Sequence, residues 1–249
     1  RKPGIIFGRV GFLAYNGNIN YRMKVEQSDM TKLYFIRHGK TEWNNEGRFQ
    51  GANGDSPLLP ESYQQIELLG KHLQDIKFAH AFASPIKRAR TTADETIRYL
   101  KQRPELTLQS GLVEFGMGVW EGKTFVDVQE NWPEMYDAYR HHPERFDASQ
   151  VAGAESFEHV QQRFRQAVVE AVAGYGGADV NLVFFSHGMT LTAGMAYLLG
   201  TPLAESRARG GLGNTSTSIL ETHDGQTFVE IIRNDVSYLD ITSDSSNTI

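Results

Sequence analysis

The stretch Phe35-Ile-Arg-His-Gly-Lys-Thr-Glu-Trp-Asn44 breaks an apolar run on Arg37 and His38 and sets Gly39 directly behind them. The run itself, KLYFIRHG at 32–39, is too short for a globular helix and rich in aromatic and β-branched residues, so it reads as a strand buried on both faces. Alone, its polar end could simply open a solvated turn. Two further runs of the same kind argue otherwise: FAHAFASP at 78–85 and NLVFFSHG at 181–188. The last ends on His187-Gly188, repeating His38-Gly39, and the middle one ends on Ser84-Pro85 with the basic stretch IKRAR, 86–90, behind it.

Between and after these strands lie helix-like segments at 63–74, 87–101, 156–172 and 189–199. The second carries Ala89, Ala93, Ile97 and Leu100 at helical spacing, and Ser156 is a plausible N-cap of the third, with His159 at N3. Strands alternating with helices imply an α/β fold: a three-layer α/β/α sandwich with a mainly parallel central sheet, plus a lid-like insertion. In such sheets ligands bind beyond the carboxyl ends of the strands. If the three strands are neighbours, both histidines and an arginine converge on one sheet edge, and Arg37 and Arg88 beside them point to an anion site. A glycine after each histidine allows a tight turn and close backbone approach to a ligand. A helix start beyond adds N–H groups aimed at negative charge, and arginine matches phosphate oxygens two at a time. Arg88 and Arg90 point to different faces of their helix, so one of them can serve the site; Arg88, nearer the strand end, is the choice.

The 249 residues, 40% of them hydrophobic, suffice for one large domain or two small ones. A net charge of −5 argues against nucleic-acid or anionic-membrane partners, which need surplus Lys and Arg. Without cysteine there are no disulfides, thiolate nucleophiles or Cys-ligated metals. No apolar run reaches the roughly 18–20 residues of a membrane span and no signal-peptide pattern opens the chain, so the expectation is a soluble, cytoplasmic protein. Residues 1–29, rich in Gly and Asn, read as an N-terminal extension or leader ahead of a start at Met30, the alternative being a genuine N-terminal hairpin. Residues 30–240 form the main domain, with 123–155 inserted as a lid, and 241–249 a polar tail.

The run Arg37-His38-Gly39-Lys40-Thr41-Glu42-Trp43-Asn44 resembles the R-H-G-E-[ST]-x-x-N signature of the histidine phosphatase (phosphoglycerate-mutase-like) superfamily. SPIKRARTTA (84–93) resembles its S-x-x-x-R-A-x-x-T segment, LVEFGMGVWEG (112–122) the L-x-E-x-x-x-G-x-W-E-G of its phosphatase members, and FFSHGM (184–189) the segment bearing its second histidine. The four motifs occur in the family's order and span about 31–240. The departure is Lys40 where Glu is usual, which bears on local charge and substrate preference rather than on the reaction.

The resemblance implies a phosphohistidine mechanism. His38 would attack phosphorus through an unprotonated ring nitrogen while the other nitrogen donates to a backbone carbonyl. Arg37, Arg88 and His187 would surround the equatorial oxygens. Glu114 would protonate the leaving oxygen and then take a proton from water. Asn44, Gln50, Gly51 and Gly188 would complete the substrate pocket, with no cofactor and no metal. Two histidines as metal ligands is the competing reading, but H-E-x-x-H, Cys and an obvious third ligand are all missing. Trp120 and Phe115 read as core or lid packing, and Asn214-Thr-Ser216 as a turn and strand start.

Within the family, mutases follow the catalytic Glu with E-R-H-Y-G, a lysine further on and paired arginines. Here Glu114 is followed by Phe115-Gly-Met-Gly118, the lysine position falls on Phe125, and 123–155 has no Arg-Arg pair. The expected function is therefore hydrolysis of small phosphate monoesters. Phosphoglycerate mutase is the alternative, and a weakly active phospho-ligand binder the third reading. Oligomeric state is not legible.

Overall fold

A computed structural model of the chain describes residues 29–239. The expected leader, apart from Asp29, and the expected tail lie outside them. Three strands form where the apolar runs stand: β1 (Thr31–Arg37), β2 (Phe78–Ala83) and β4 (Val180–Ser186). The short β3 (Leu106–Leu108) and the pair β5 (Thr217–Thr222) and β6 (Phe228–Asp235) complete a six-stranded sheet in the order β3-β2-β4-β1-β5-β6. The first four strands run parallel, and β5 and β6 return antiparallel at the edge.

The helices begin with the one-turn α1 (Glu42–Asn45), then α2 (Pro60–Leu73) and α3 (Lys87–Tyr99). After them come α4 (Phe125–Asn131), α5 (Pro133–His141), α6 (Phe157–Tyr175) and α7 (Gly188–Leu198). Helix α2 starts three residues before its apolar period, because Pro60 fits the first helical position, where its missing N–H costs nothing. Ser156 caps α6 by accepting from the His159 amide. Among the described residues, no helix is long and apolar enough to cross a membrane.

Side-chain alternation along the central strands builds the three layers. Leu33, Phe35, Leu182, Phe184 and Phe82 point to one face, where α6 and α7 cover them through Phe164, Val168, Leu191 and Met195. Tyr34, Ile36, Val183, Phe185 and Ala83 point to the other, packed by Leu69, Leu73, Ala93 and Ile97 of α2 and α3. A third cluster lies beyond the sheet edge and joins Phe49, Phe115 and Trp120 to Met135 and Tyr139 of α5. Segment 123–155 is thereby packed through its own apolar side chains. Thr124 and Asp127 form a capping box on α4, and Pro133 and Pro143 open the two following helical turns.

Two glycines test this packing in opposite directions. Gly194 of α7 faces Phe164 of α6 so closely that an added Cβ would overlap the ring. Gly174, near the end of α6, is exposed with nothing within 4 Å of such a Cβ. Gly194→Ala is expected to destabilise the fold by about 1–3 kcal/mol against the ~1 kcal/mol that alanine's helix propensity contributes. Gly174→Ala, with propensity alone acting, should stabilise it by about 0.5–1 kcal/mol. Urea unfolding of both proteins checks the pair of signs.

Candidate active site

Parallel pairing of β1 with β4 sets Arg37 opposite Ser186, so the chain leaves both strands at one edge, into His38 and His187. Pairing of β2 with β4 sets Ala83 opposite Phe185 and brings Ser84 alongside. The turn after β1 is held from both sides. The His38 amide donates to the Ser186 carbonyl at 3.0 Å, and the Thr215 amide donates to the Arg37 carbonyl at 3.0 Å. Asn214 Nδ2 donates to the His38 carbonyl at 3.0 Å. Asn214 is 4% exposed and opens the turn leading into β5.

The His38 ring is buried, and its Nδ1 lies 2.7 Å from the Gly39 carbonyl oxygen. A carbonyl only accepts, so Nδ1 carries the proton and Nε2 presents a lone pair. Arg88 Nε donates to that Nε2 at 3.3 Å. Burial first, then the charges of Arg88 and Arg37, hold the His38 imidazole well below its ordinary range, so the ring is neutral.

Arg88, in the first turn of α3, is 2% exposed, whereas Arg90 faces solvent. Its guanidinium is fixed by backbone: NH1 donates to the Gly54 carbonyl at 2.8 Å and NH2 to the Gly51 carbonyl at 3.0 Å. NH1 also pairs with Asp55 Oδ1 at 3.1 Å. Arg37, 1% exposed, donates to the Leu212 carbonyl. Burial lowers it to about 10 against the opposing pull of Glu114, which leaves it charged at neutral pH. A Cβ on Gly188 would stand 3.1 Å from Arg37 Nε, so the bare backbone there gives the guanidinium its place.

His187 lies with its ring centroid 5.1 Å from that of His38. Its Nε2 is 2.8 Å from Ser84 Oγ, and its Nδ1 is buried without a hydrogen-bond partner. Ser84 Oγ, which also accepts from the Ile86 amide, can give its proton to His187 Nε2, and in that tautomer the His187 Nδ1 carries the ring proton. Burial, then Arg88 and His38, lower His187 as well. Glu114 sits at the start of α7. Its Oε1 accepts from the Phe115 and Thr190 amides at 2.8 and 3.0 Å and from Thr190 Oγ1 at 3.1 Å. Among the described residues, its Oε2 accepts from the Met189 amide at 3.4 Å.

Arg37, His38, Asn44, Gln50, Gly51, Arg88 and Glu114 line one pocket. His187 and Gly188 do not line it and stand behind it, against His38 and Arg37. Gln50 is anchored by donating to Thr41 Oγ1 at 2.8 Å, and Asn44 Oδ1 accepts from the Thr41 amide and hydroxyl. The outer wall is Phe49, Phe115, Met117, Phe125, Tyr139 and Met189, joined by Arg48. Trp120 is fully buried beneath that wall. Lys40 does not line the pocket; its carbonyl accepts from the Leu59 amide at 2.9 Å and the Ser62 hydroxyl at 2.6 Å. Three polar residues that support this machinery, Asn214, Glu121 and Asp55, escape a reading by residue type. Each looks like an ordinary turn residue or surface carboxylate until the fold brings its partner close. Among the described residues, no group of three or more His, Asp or Glu is arranged to hold a metal ion.

Two fixed guanidiniums and a second buried histidine around a neutral, tautomer-defined imidazole make a receptor suited to a tetrahedral oxyanion with a nucleophile at its centre. The model of the histidine phosphatase superfamily (branch 1) matches residues 33–235, and the chain belongs to that family. A probable phosphoglycerate mutase, GpmB, of Salmonella choleraesuis is 30% identical over 219 residues, covering 85% of this chain and 96% of the relative. Among solved structures, YhfR of Bacillus stearothermophilus superposes with a TM-score of 0.77 at 32% identity, covering 84% of this chain and all of that one. A mycobacterial glucosyl-3-phosphoglycerate phosphatase gives 0.73 at 28% identity, covering 82% and 99%.

The two depressed histidines couple stability to pH. In the unfolded chain they protonate near the ordinary value of about 6.5, while in the fold they stay neutral well below it. Stability from this source is complete above that value and falls as pH drops below it, by up to about 1.4 kcal/mol per pH unit for each histidine. Urea midpoints of the wild type measured from pH 7.5 to 5.5 should fall more steeply than those of His38→Gln. Parallel curves would show that His38 titrates normally in the fold.

Proposed function

We propose that the protein is a phosphomonoesterase that hydrolyses small phosphorylated metabolites through a phosphohistidine on His38, with no metal or organic cofactor. The observation carrying this reading is the Nδ1 bond to Gly39, which turns the Nε2 lone pair toward Arg88 and the pocket. Nε2 attacks phosphorus as the ester P–O bond breaks, and Glu114, carrying a proton on Oε2 in the ester complex, passes it to the leaving oxygen, giving a free alcohol and a Glu114 carboxylate. Water then attacks the phosphohistidine, gives one proton to Glu114, and the P–N bond breaks to release phosphate. Arg37 and Arg88 take the equatorial oxygens, where the transition state spreads its charge, with the buried His187 behind them as the third donor that the family resemblance implies. Gln50, Gly51 and Asn44 border the ester side, and Gly188 leaves room for Arg37.

The pocket wall favours hydrolysis over the mutase reaction. A mutase must hold a second acidic group of its substrate while the phosphoryl group moves. Beyond the clamp the wall here is apolar and aromatic, and among the described residues the one further cation in the lining, Arg48, is already engaged by Glu46 and the Gly122 carbonyl. The name of the Salmonella relative supports the mutase as the second reading. In our reading, Phe125 and Tyr139 make segment 123–155 the cover that selects the alcohol. The lack of cysteine fits a cytoplasmic setting.

Leaving-group dependence tests the assignment of Glu114. Loss of a general acid matters most where the departing oxygen needs a proton, so Glu114→Gln should slow single-turnover transfer from an alkyl phosphate by about 10²–10⁴-fold and from p-nitrophenyl phosphate far less. Equal slowing of both contradicts the proton-donor role. With 3-phosphoglycerate, release of inorganic phosphate should outpace any appearance of 2-phosphoglycerate; the reverse order establishes the mutase. Turnover should persist in EDTA.

A further inference from the structure

Glu121, in the turn after Trp120, holds no role in the chemistry above, yet its carboxylate collects four backbone amides. Oε1 accepts from Ala52 at 3.0 Å and Met117 at 3.1 Å. Oε2 accepts from Asn53 at 3.0 Å and Gly54 at 2.9 Å. Three of the four donors belong to the turn 52–54, which is 67 to 69 residues away in sequence. The same turn faces the other way with its carbonyls: those of Gly51 and Gly54 hold the two terminal nitrogens of Arg88. Gly51 adopts φ +63°, and a Cβ there would overlap the Glu121 carboxylate, so turn and acid are fitted to each other.

We infer that Glu121 is a positioning residue for the phosphate clamp: by binding the amides of the 52–54 turn it fixes the two carbonyls that aim the Arg88 guanidinium at the phosphoryl oxygens and at His38. A planar guanidinium binds two oxygens at once only when its plane is set in advance, and a buried one without fixed acceptors swings to whichever carbonyl offers. Helix α3 places the Arg88 backbone, but four rotatable bonds separate that backbone from the guanidinium plane. The turn supplies what the helix does not. The negative charge of Glu121 also helps keep the buried Arg88 protonated, together with Glu114 and Asp55. Glu121 itself lies outside the pocket lining, so it acts through Arg88 and not on substrate.

This inference rests on Arg88 as the phosphate ligand, and its test separates the two ideas by reading anion binding as well as turnover. Glu121→Gln keeps one acceptor oxygen and presents an NH2 group to amides that need the other. Calorimetric titration with inorganic phosphate should show affinity weakened by about tenfold, with p-nitrophenyl and alkyl phosphates slowed by one common factor, unlike Glu114→Gln. In an Arg88→Ala background the same substitution should change phosphate affinity by less than about twofold, because the group it positions is gone. Should Glu121→Gln lower the folded fraction, Glu121→Asp, which keeps the charge but shortens the reach, is expected to give the same pattern. Unchanged phosphate affinity in the single variants, or an undiminished loss in the Arg88→Ala background, overturns the positioning role. Failure of Arg88→Ala itself to weaken phosphate binding would instead overturn the clamp.

Discussion

A single hydrogen bond, from Nδ1 of His38 to the carbonyl of Gly39, sets the chemical identity of the site. It fixes the tautomer, points the other nitrogen at the pocket, and requires the chain to turn back on itself one residue past the strand. That turn is possible because β1 is paired on both sides, with β4 and with β5, up to its last residues. The 213–217 segment then ties the carbonyls of Arg37 and His38 to the Thr215 amide and the Asn214 side chain. The sheet is thus less a container for the site than the frame that holds one imidazole in one protonation state.

The charges around that imidazole are arranged with the same economy. Buried guanidiniums need partners for their donors, and here backbone carbonyls supply several: Gly51 and Gly54 for Arg88, Leu212 for Arg37. Carbonyls orient a cation without cancelling its charge. Two positive groups therefore stand beside two neutral histidines, with Glu114 and Asp55 as the nearby opposing acids. In the proposed reaction, a dianionic phosphoryl group entering this field would find fixed dipoles and charges already in place, with little reorganisation left for the chemical step.

What the sequence revealed and what it withheld follow from range. The buried strands β1, β2 and β4 are uninterrupted apolar runs, and the residues that leave them, Arg37, His38, Ser84 and His187, are legible because the carboxyl ends of parallel strands converge by rule. Arg88 was separable from Arg90 by helix geometry alone. Of the antiparallel pair, the start of β5 was legible in the turn and strand start at Asn214-Thr-Ser216, whereas β6 was not read as a strand, because it lies at the sheet edge and mixes exposed Val229 and Ile231 with Glu230, Arg233 and Asn234. The supporting shell was legible least. Asn214 meets His38 across 176 residues, and Glu121 meets the 52–54 turn across nearly seventy. Asparagine in a turn and glutamate near a surface are too common to carry such information locally. Lys40, the departure from the sequence motif, is not among the residues that line the pocket.

The central claim is that His38 Nε2 becomes covalently phosphorylated, and one experiment reaches it directly. Glu114→Gln protein, mixed with phosphorus-labelled p-nitrophenyl phosphate and quenched in alkali within a single turnover, should carry label on His38 as an acid-labile, alkali-stable adduct. The same treatment of His38→Ala should leave the protein unlabelled. A burst of nitrophenolate from the Glu114→Gln protein without label on His38 would contradict the account and place the phosphoryl transfer directly on water.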